Sequence, residues 1–445
     1  MKHPNIVFIL TDDQRYNTIH ALGNKDIITP NMDWLVRNGT SFTQAHIPGG
    51  TSGAVCMPSR AMIHSGRTLF SLEREGQNIP DGHKTLGEVL RENGYYAYGT
   101  GKWHNGPPAF TRSFDMGTEI FFGGMWDHWN VPTNYYDPNW EGNNKPIRVH
   151  CDKFNPGKHS SELLAEATVN FINEYQGTQP YFVYTAFLAP HDPRTMPKQY
   201  EEMYCADKIS LPDNFVSEPD DFGVRNIRDE LLAPYPRDEN DTKKQIAQYY
   251  GMITHLDHEI GKIIDAVRRR GELDNTIFIL AGDNGLAVGC HGLMGKQNHY
   301  EHSIRVPLIM AGSGIPKNRR IDNYVYLLDI YPTICEMLGI EIPGSVEGIS
   351  FAEMFKDDTR KSLYFVYNDL IRSVKNGRYK LIEYRNYTEK TELFDLMEDP
   401  NEIRNLSEDE SLAHIKEEMR KLLIQYKESW GDEKHPLGKR YWQYW

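Results

Sequence analysis

Cysteine is scarce in this sequence. Five Cys among 445 residues, odd in number and widely scattered, do not read as a disulfide framework. With no CxxC pair, a structural zinc site is not expected either. Long apolar runs are also missing. None reaches the roughly 18–20 residues that span a bilayer, and the longest, such as Tyr181 to Pro190, are strand-sized. Nor is there a basic excess: 49 Lys and Arg stand against 62 Asp and Glu, a formal charge of −13. A general nucleic-acid or anionic-membrane binder carries the opposite balance, so neither is an expected partner. An anionic substrate would need cations gathered locally. No repeat or low-complexity tract is evident. The opening Met1-Lys2-His3-Pro4 leads straight into Asn5–Leu10, too short for a signal h-region and without a small-residue cleavage site. The expectation is a cytoplasmic protein, or a periplasmic or secreted one if an export signal has been removed.

What is present is a soluble, globular composition, 39% hydrophobic and 25% charged. The length exceeds the roughly 250–300 residues at which one core stops growing. One large domain and a smaller one are therefore expected, over 1–345 and 346–445. Three continuous apolar runs, Asn5–Thr11, Tyr181–Leu188 and Thr276–Ala281, suit strands buried on both faces of a parallel sheet. Each ends in polar residues: Asp12-Asp13, Pro190-His191 and Gly282-Asp283-Asn284. Open α/β sheets place their sites at such strand ends. Helical periodicity runs from Ile246 to Val267, closed by Gly271, and a shorter helix is read over Thr85–Glu92. Beyond Pro343 the pattern changes to short strands near 363–367, 371–374, 379–382 and 393–396, with Asn376-Gly377 as a hairpin turn. A helix follows, carrying Leu412, Ile415, Met419, Leu422, Tyr426 and Trp430 on one stripe, with Ser407 and Glu410 as a capping box. The fold class is α/β: a large, mostly parallel central sheet flanked by helices, then a smaller C-terminal antiparallel sheet plus helix.

Adjacent carboxylates at a strand end repel unless a cation neutralises them. Asp12 and Asp13 alone fit a solvated turn as well as a site. Asp283 and Asn284 at the end of a second buried strand make a hard-oxygen set suited to Ca²⁺ or Mg²⁺. A lone cysteine is usually a small buried hydrophobe, but Cys56-Met57-Pro58-Ser59-Arg60 has the pattern Cys-x-Pro-Ser-Arg. With Gly101-Lys102-Trp103-His104, Ala189-Pro190-His191, Gly282-Asp283-Asn284-Gly285 and Gly292-Leu293-Met294-Gly295-Lys296, the chain resembles the type I sulfatases of the alkaline-phosphatase superfamily over essentially its whole length.

That resemblance implies an alkaline-phosphatase-like fold and a set of roles. Asp12, Asp13, Asp283 and Asn284 would hold one divalent cation, calcium by family habit, with Cys56 as a further ligand after a maturation enzyme has oxidised it to formylglycine. The hydrated aldehyde would attack sulfur with one hydroxyl and expel sulfate with the other. Arg60, Lys102 and His104 would surround this group, with Asp283 taking its proton. His191 and Lys296 would act on the bridging ester oxygen. Trp126 and His128 either pack a long loop or wall the substrate pocket. Arg194 either contacts substrate or pairs with Asp192, and His291 would line the pocket. Cys151, Cys205, Cys290 and Cys335 read as ordinary thiols, and 218–221 and 228–241 as solvated surface. The expected activity is hydrolysis of a sulfate monoester, with a sulfated carbohydrate favoured. The alternatives are a phosphonate monoesterase or phosphodiesterase of the same superfamily, or a non-catalytic binder of sulfated glycans.

Overall fold

Ile6 to Leu10 are wholly shielded from water, and so are the apolar residues on both sides of them. A strand shielded this way needs cover above and below. The computed structural model, which describes residues 3–140, 151–353 and 360–445, supplies it with an eight-stranded sheet between helices. The strands are β1 (Asn5–Thr11), β2 (Gly39–Phe42), β3 (Tyr96–Lys102), β4 (Met116–Phe121), β5 (Tyr181–Ala186), β6 (Thr276–Gly282), β7 (Leu308–Gly312) and β8 (Arg319–Ile321). Their order is β8-β2-β7-β6-β1-β5-β3-β4, and only β7 runs antiparallel to its neighbours.

The period-2 alternation of a strand divides its side chains between two cores. Val7 and Ile9 face one core, which contains α1 (Pro30–Asn38), α4 (Ser160–Glu174) and α5 (Glu239–Arg269). Ile6, Phe8 and Leu10 face the other, which contains α2 (Cys56–Ser65) and α3 (Leu86–Glu92). In α5, Ile253, Leu256, Ile260 and Ile263 are fully buried, each worth about 1.5–3 kcal/mol of burial. Asp238 caps that helix by accepting from the Asp241 N–H at 2.8 Å. Thr85 and Glu88 form the capping box of α3. No helix among the described residues is long and apolar enough to cross a membrane.

The second sheet holds β9 (Ser362–Tyr367), β10 (Ile371–Asn376), β11 (Tyr379–Tyr384) and β12 (Lys390–Asp395), with α6 (Ala413–Ser429) packed on it through Met419 and Leu423. Asn376 closes the β10–β11 turn by accepting from the Arg378 and Tyr379 N–H groups. Two expectations need correction. The sheet is not purely antiparallel, because Gly49–Gly50 adds a fifth, parallel strand beside β9. Gly49 sits at φ +96°, and a Cβ there would meet the Val366 carbonyl at 2.1 Å, so only glycine fits. The Ser407–Glu410 capping box does not form: Ser407 bonds Glu408, and Asp409 caps the entering turn at the Ser411 N–H.

Candidate active site

The register of the central sheet assembles the site. β1 and β6 pair with Thr11 opposite Gly282, so the next residues, Asp12 and Asp283, leave the sheet side by side. The Asp13 N–H donates to Asp283 Oδ1 at 3.2 Å across 270 residues of sequence. Asp13 is held at φ +64° and His104 at φ +70°, a conformation a non-glycine residue adopts at a cost of order 1–3 kcal/mol and one that clusters at functional sites. Strand β3 ends at Lys102, and β5 leads through Ala189-Pro190 to His191. Cys56 opens α2, one turn before Arg60.

Three buried carboxylates meet three buried cations. Lys102 Nζ donates to Asp12 and lies 3.4 Å from Cys56 Sγ. Arg60 Nε donates to Asp283 Oδ2 at 2.8 Å, and its Nη2 is 3.5 Å from Asp12. Lys296 Nζ donates to Asp13 Oδ1 at 2.6 Å. His104 Nδ1 stands 3.6 Å from Cys56 Sγ, and His191 Nε2 stands 3.7 Å from Asp13 Oδ2. Burial opposes ionisation of Asp12, yet Lys102 and Arg60 hold its carboxyl well below the usual range. Asp283 goes the other way: burial and the Asp12 charge push it up to about 6. Burial also raises the Cys56 thiol, and burial with Lys102 and Arg60 keeps His104 neutral. For Lys296, burial is outweighed by Asp13, and the amine stays charged.

The set fits a hard dication. Asp12 Oδ1 and Asn284 Oδ1 are buried with no hydrogen-bond partner, which is costly unless something else occupies them. Ligand atoms of Asp12, Cys56 and Asp283 lie within 4.8 Å of one another, as do those of Asp12, Asp13 and His191. Asn284 turns its amide N–H to Asp13 at 2.6 Å, which leaves the carbonyl oxygen for a cation.

The outer residues take varied places. Trp126 and Arg194 line a cavity of about 560 Å³ with Asp192, Arg228 and Gln245. Arg194 donates to Gln245, while its Nε and Nη2 are buried without partners. Asp192 is taken by Arg228, whose fork donates to both carboxylate oxygens. His128 lies behind the site: one ring nitrogen meets Ser160 at 2.7 Å and Nε2 meets the His191 carbonyl at 2.9 Å. His291 stacks on Tyr300, with its nitrogens against Asn214 and the Glu402 carbonyl, so both ring nitrogens are taken up by protein contacts. A larger cavity, about 850 Å³, lies beside β3, β4 and α4 and includes none of these residues.

The stretch 228–241 is not the solvated surface its charge suggests. Glu230 is buried and accepts from the Met294 and Gly295 N–H groups at 3.0 and 2.8 Å, and from Arg237 Nη2 at 2.6 Å. Arg237, also buried, donates to the Gly292 carbonyl at 2.8 Å. The pair fixes the loop that carries Lys296. Gln297 adds a bond to Asp229 at 2.8 Å. Tyr249, on the apolar stripe of α5, donates to the Asp13 carbonyl at 2.6 Å.

Comparison with known proteins gives this site its context. The "Sulfatase" family model matches residues 4–340, and a model described as "N-sulphoglucosamine sulphohydrolase, C-terminal" matches 289–429. A sulfatase from Formosa agariphila is 28% identical over 97% of this chain and 88% of its own length. An N-acetylglucosamine-6-O-sulfatase from Bacteroides thetaiotaomicron is 23% identical over 98% of this chain and 89% of its own. Among solved structures, a protein in complex with its substrate D-glucosamine-2-N,6-O-disulfate superposes with a TM-score of 0.81 at 21% identity, covering 98% of this chain and 99% of that one. A phosphonate monoester hydrolase of Agrobacterium radiobacter gives 0.76 at 19% identity, with 96% of each chain covered.

Proposed function

Because the chain belongs to the sulfatase family and is a sulfuric ester hydrolase, we propose that its substrate is a sulfate monoester of a carbohydrate. Cys56, converted to formylglycine by a maturation enzyme, would be the nucleophile, and calcium the cation at Asp12, Asp13, Asp283 and Asn284. The observation that carries this reading is the pair of orphaned oxygens, Asp12 Oδ1 and Asn284 Oδ1, in a cluster whose own charges already balance, three against three. A dication there leaves an excess of positive charge, which a sulfate ester can neutralise despite the −13 of the whole chain. When bound, the cation would polarise the nucleophile and a sulfate oxygen as a Lewis acid. The matured group would supply one oxygen to attack sulfur and a second to release it.

The chain's own residues divide the remaining work. Cys56 Sγ stands where the aldehyde oxygen would be, and Lys102 and His104 are placed to hold the matured group there. His191 Nδ1 lies 2.8 Å from the Asp192 carbonyl. A carbonyl only accepts, so Nδ1 keeps a proton, and Nε2 is the nitrogen that would pass a second proton, from the imidazolium form, to a leaving oxygen. A sugar alkoxide needs that proton in the transition state, worth about 10²–10⁴-fold. Support for a sugar comes from the 560 Å³ cavity, where Trp126, 39% exposed, offers a ring face beside the polar Arg194, Arg228 and Gln245. The relative named for N-acetylglucosamine 6-sulfate points the same way.

The test is sulfate release from defined sulfated mono- and disaccharides, run beside an aryl sulfate and a phenyl phosphonate monoester. The protein should first be shown by mass to be about 18 Da lighter than the cysteine form. A sulfated sugar should be turned over fastest. Faster cleavage of the phosphonate would replace this reading with the phosphonate one, and no turnover by matured protein would leave a binder.

A further inference from the structure

A second cluster of metal-ligating side chains lies between α4 and α5 and shares no residue with the active site. His255 and Glu259 are four residues apart on α5, so they project from one face. Glu162 reaches them from the first turn of α4. His255 Nε2 is 3.6 Å from Glu162 Oε1 and 3.8 Å from Glu259 Oε1. Those distances are too long for hydrogen bonds. The side chains of His255 and Glu259 are only 1% and 2% exposed, yet both ring nitrogens of His255 and Glu259 Oε2 have no hydrogen-bond partner. Three unsatisfied atoms in one buried spot are unusual in a folded protein.

The spacing suits an ion. Two ligands each about 2.0–2.2 Å from one zinc ion, at tetrahedral or somewhat wider angles, stand about 3.3–3.8 Å apart. Ligand atoms of all three residues fall within 4.8 Å of one another. Burial holds the His255 ring neutral, with its pKa down to about 3, so its lone pair is free to coordinate. Lys262 now donates to Glu259 Oε1 at 2.6 Å, but its side chain is 47% exposed and can turn to water. Glu162 is 35% exposed, which leaves a side open for a water as fourth ligand.

We propose that Glu162, His255 and Glu259 form a binding site for a zinc-type divalent transition metal that clamps α4 to α5. One imidazole with two carboxylates is a donor set for such an ion and not for calcium, which takes oxygen alone. The clamp also backs the catalytic wall. His159 packs edge-on against His255 at 4.6 Å and stacks on His128 at 5.1 Å, and His128 meets the His191 carbonyl.

The test uses the untagged full-length chain carrying Cys56→Ala, saturated with calcium, so that neither the Cys56 thiolate nor the hard-oxygen site takes up the probe. Cobalt(II) is titrated in and followed by its visible d–d absorption, then displaced with zinc, and bound metal is counted after dialysis. The expected result is one cobalt per chain, fully displaced by one zinc. Glu162→Gln should weaken binding at least about 10-fold, as loss of one of three protein ligands implies, and His255→Gln should remove it. Zinc should raise the thermal midpoint of the parent chain but not of the Glu162→Gln chain, a control that holds even if His255→Gln folds poorly. Absence of stoichiometric cobalt, or binding and a zinc-induced midpoint shift that survive Glu162→Gln unchanged, would overturn the proposal.

Discussion

Two buried charge clusters in this molecule invite comparison. One is the candidate active site, where Asp12, Asp13 and Asp283 meet Arg60, Lys102 and Lys296. The other lies under the second sheet, where Glu301 and Glu402 meet Lys375 and Lys380. In the second, every carboxylate oxygen has a lysine or an N–H against it, Glu402 Oε1 by an ion pair with Lys380 and not by a hydrogen bond. Glu301 Oε1 and Oε2 take Lys380 and Lys375 at 3.0 and 2.7 Å. Glu402 Oε2 takes the Glu301 N–H at 2.7 Å, and its Oε1 pairs with Lys380. In the first, charges balance but Asp12 Oδ1 and Asn284 Oδ1 are left over. Buried charge is therefore no mark of a site. A closed network fixes how β10 and β11 sit against the helix-bearing part of the chain, and an unfinished one is shaped for something that is not protein.

The largest expected effect separates the two directly. Cys56→Ala should lower sulfate release by more than about 10³-fold, because it removes the group proposed to carry the covalent step. Its urea midpoint should stay close to the parent's. Glu301→Gln should do the reverse. Leaving Lys375 and Lys380 buried with half their compensation costs about 3–5 kcal/mol, read as a lower urea midpoint with activity per folded molecule retained. A Cys56→Ala chain that unfolds easily, or a Glu301→Gln chain that is stable and inactive, would erase the distinction.

A smaller effect is expected between the clusters. Glu230→Gln weakens the hold on the Lys296 loop without touching the reacting atoms. It should cost up to about 10²-fold in kcat through misplacement, with calcium binding unchanged. Equal kcat would show that the loop holds itself.

The smallest effect per group is a pH dependence shared by the whole fold. Burial pulls His46 and His128 down to about 4 and His64 and His255 to about 3. These values lie below the unfolded 6.5, so the unfolded chain takes up protons first as pH falls. The stability each contributes is complete above about 6.5 and is lost on descent through the folded values, at about 1.4 kcal/mol per pH unit per proton. Urea midpoints at pH 7, 6 and 5 should fall progressively. A flat profile would mean these rings are already protonated or exposed.

Much of this was legible in sequence, and the limits have physical causes. β1, β5 and β6 announce themselves because strands covered on both faces are continuously apolar. Their polar ends give Asp12, Asp13, His191, Asp283 and Asn284. Gly39–Phe42 and Gly49–Gly50 carry no such run; their pairing is decided by neighbours more than 250 residues away, Leu308–Gly312 and Val366. Glu230 and Arg237 sit in a stretch that reads as charged surface. Their burial follows from contacts with Gly292–Gly295, some 55–65 positions on, which no local pattern encodes. His128 stood out among aromatic residues, but its tie to the His191 carbonyl is wholly tertiary. The misplaced capping box has a local cause: Asp409 lies nearer the helix start and takes the cap that Ser407 was assigned.

The central claim is that the unfinished cluster holds a dication. A crystal structure of the matured chain grown with calcium, with the ion located by anomalous scattering, tests it most directly. The account predicts one ion about 2.3–2.6 Å from oxygens of Asp12, Asp13, Asp283 and Asn284, with Lys296 Nζ moved off Asp13. An ion bound elsewhere, or a cluster that keeps the Lys102–Asp12 and Lys296–Asp13 pairs unchanged with no ion at saturating calcium, would contradict it.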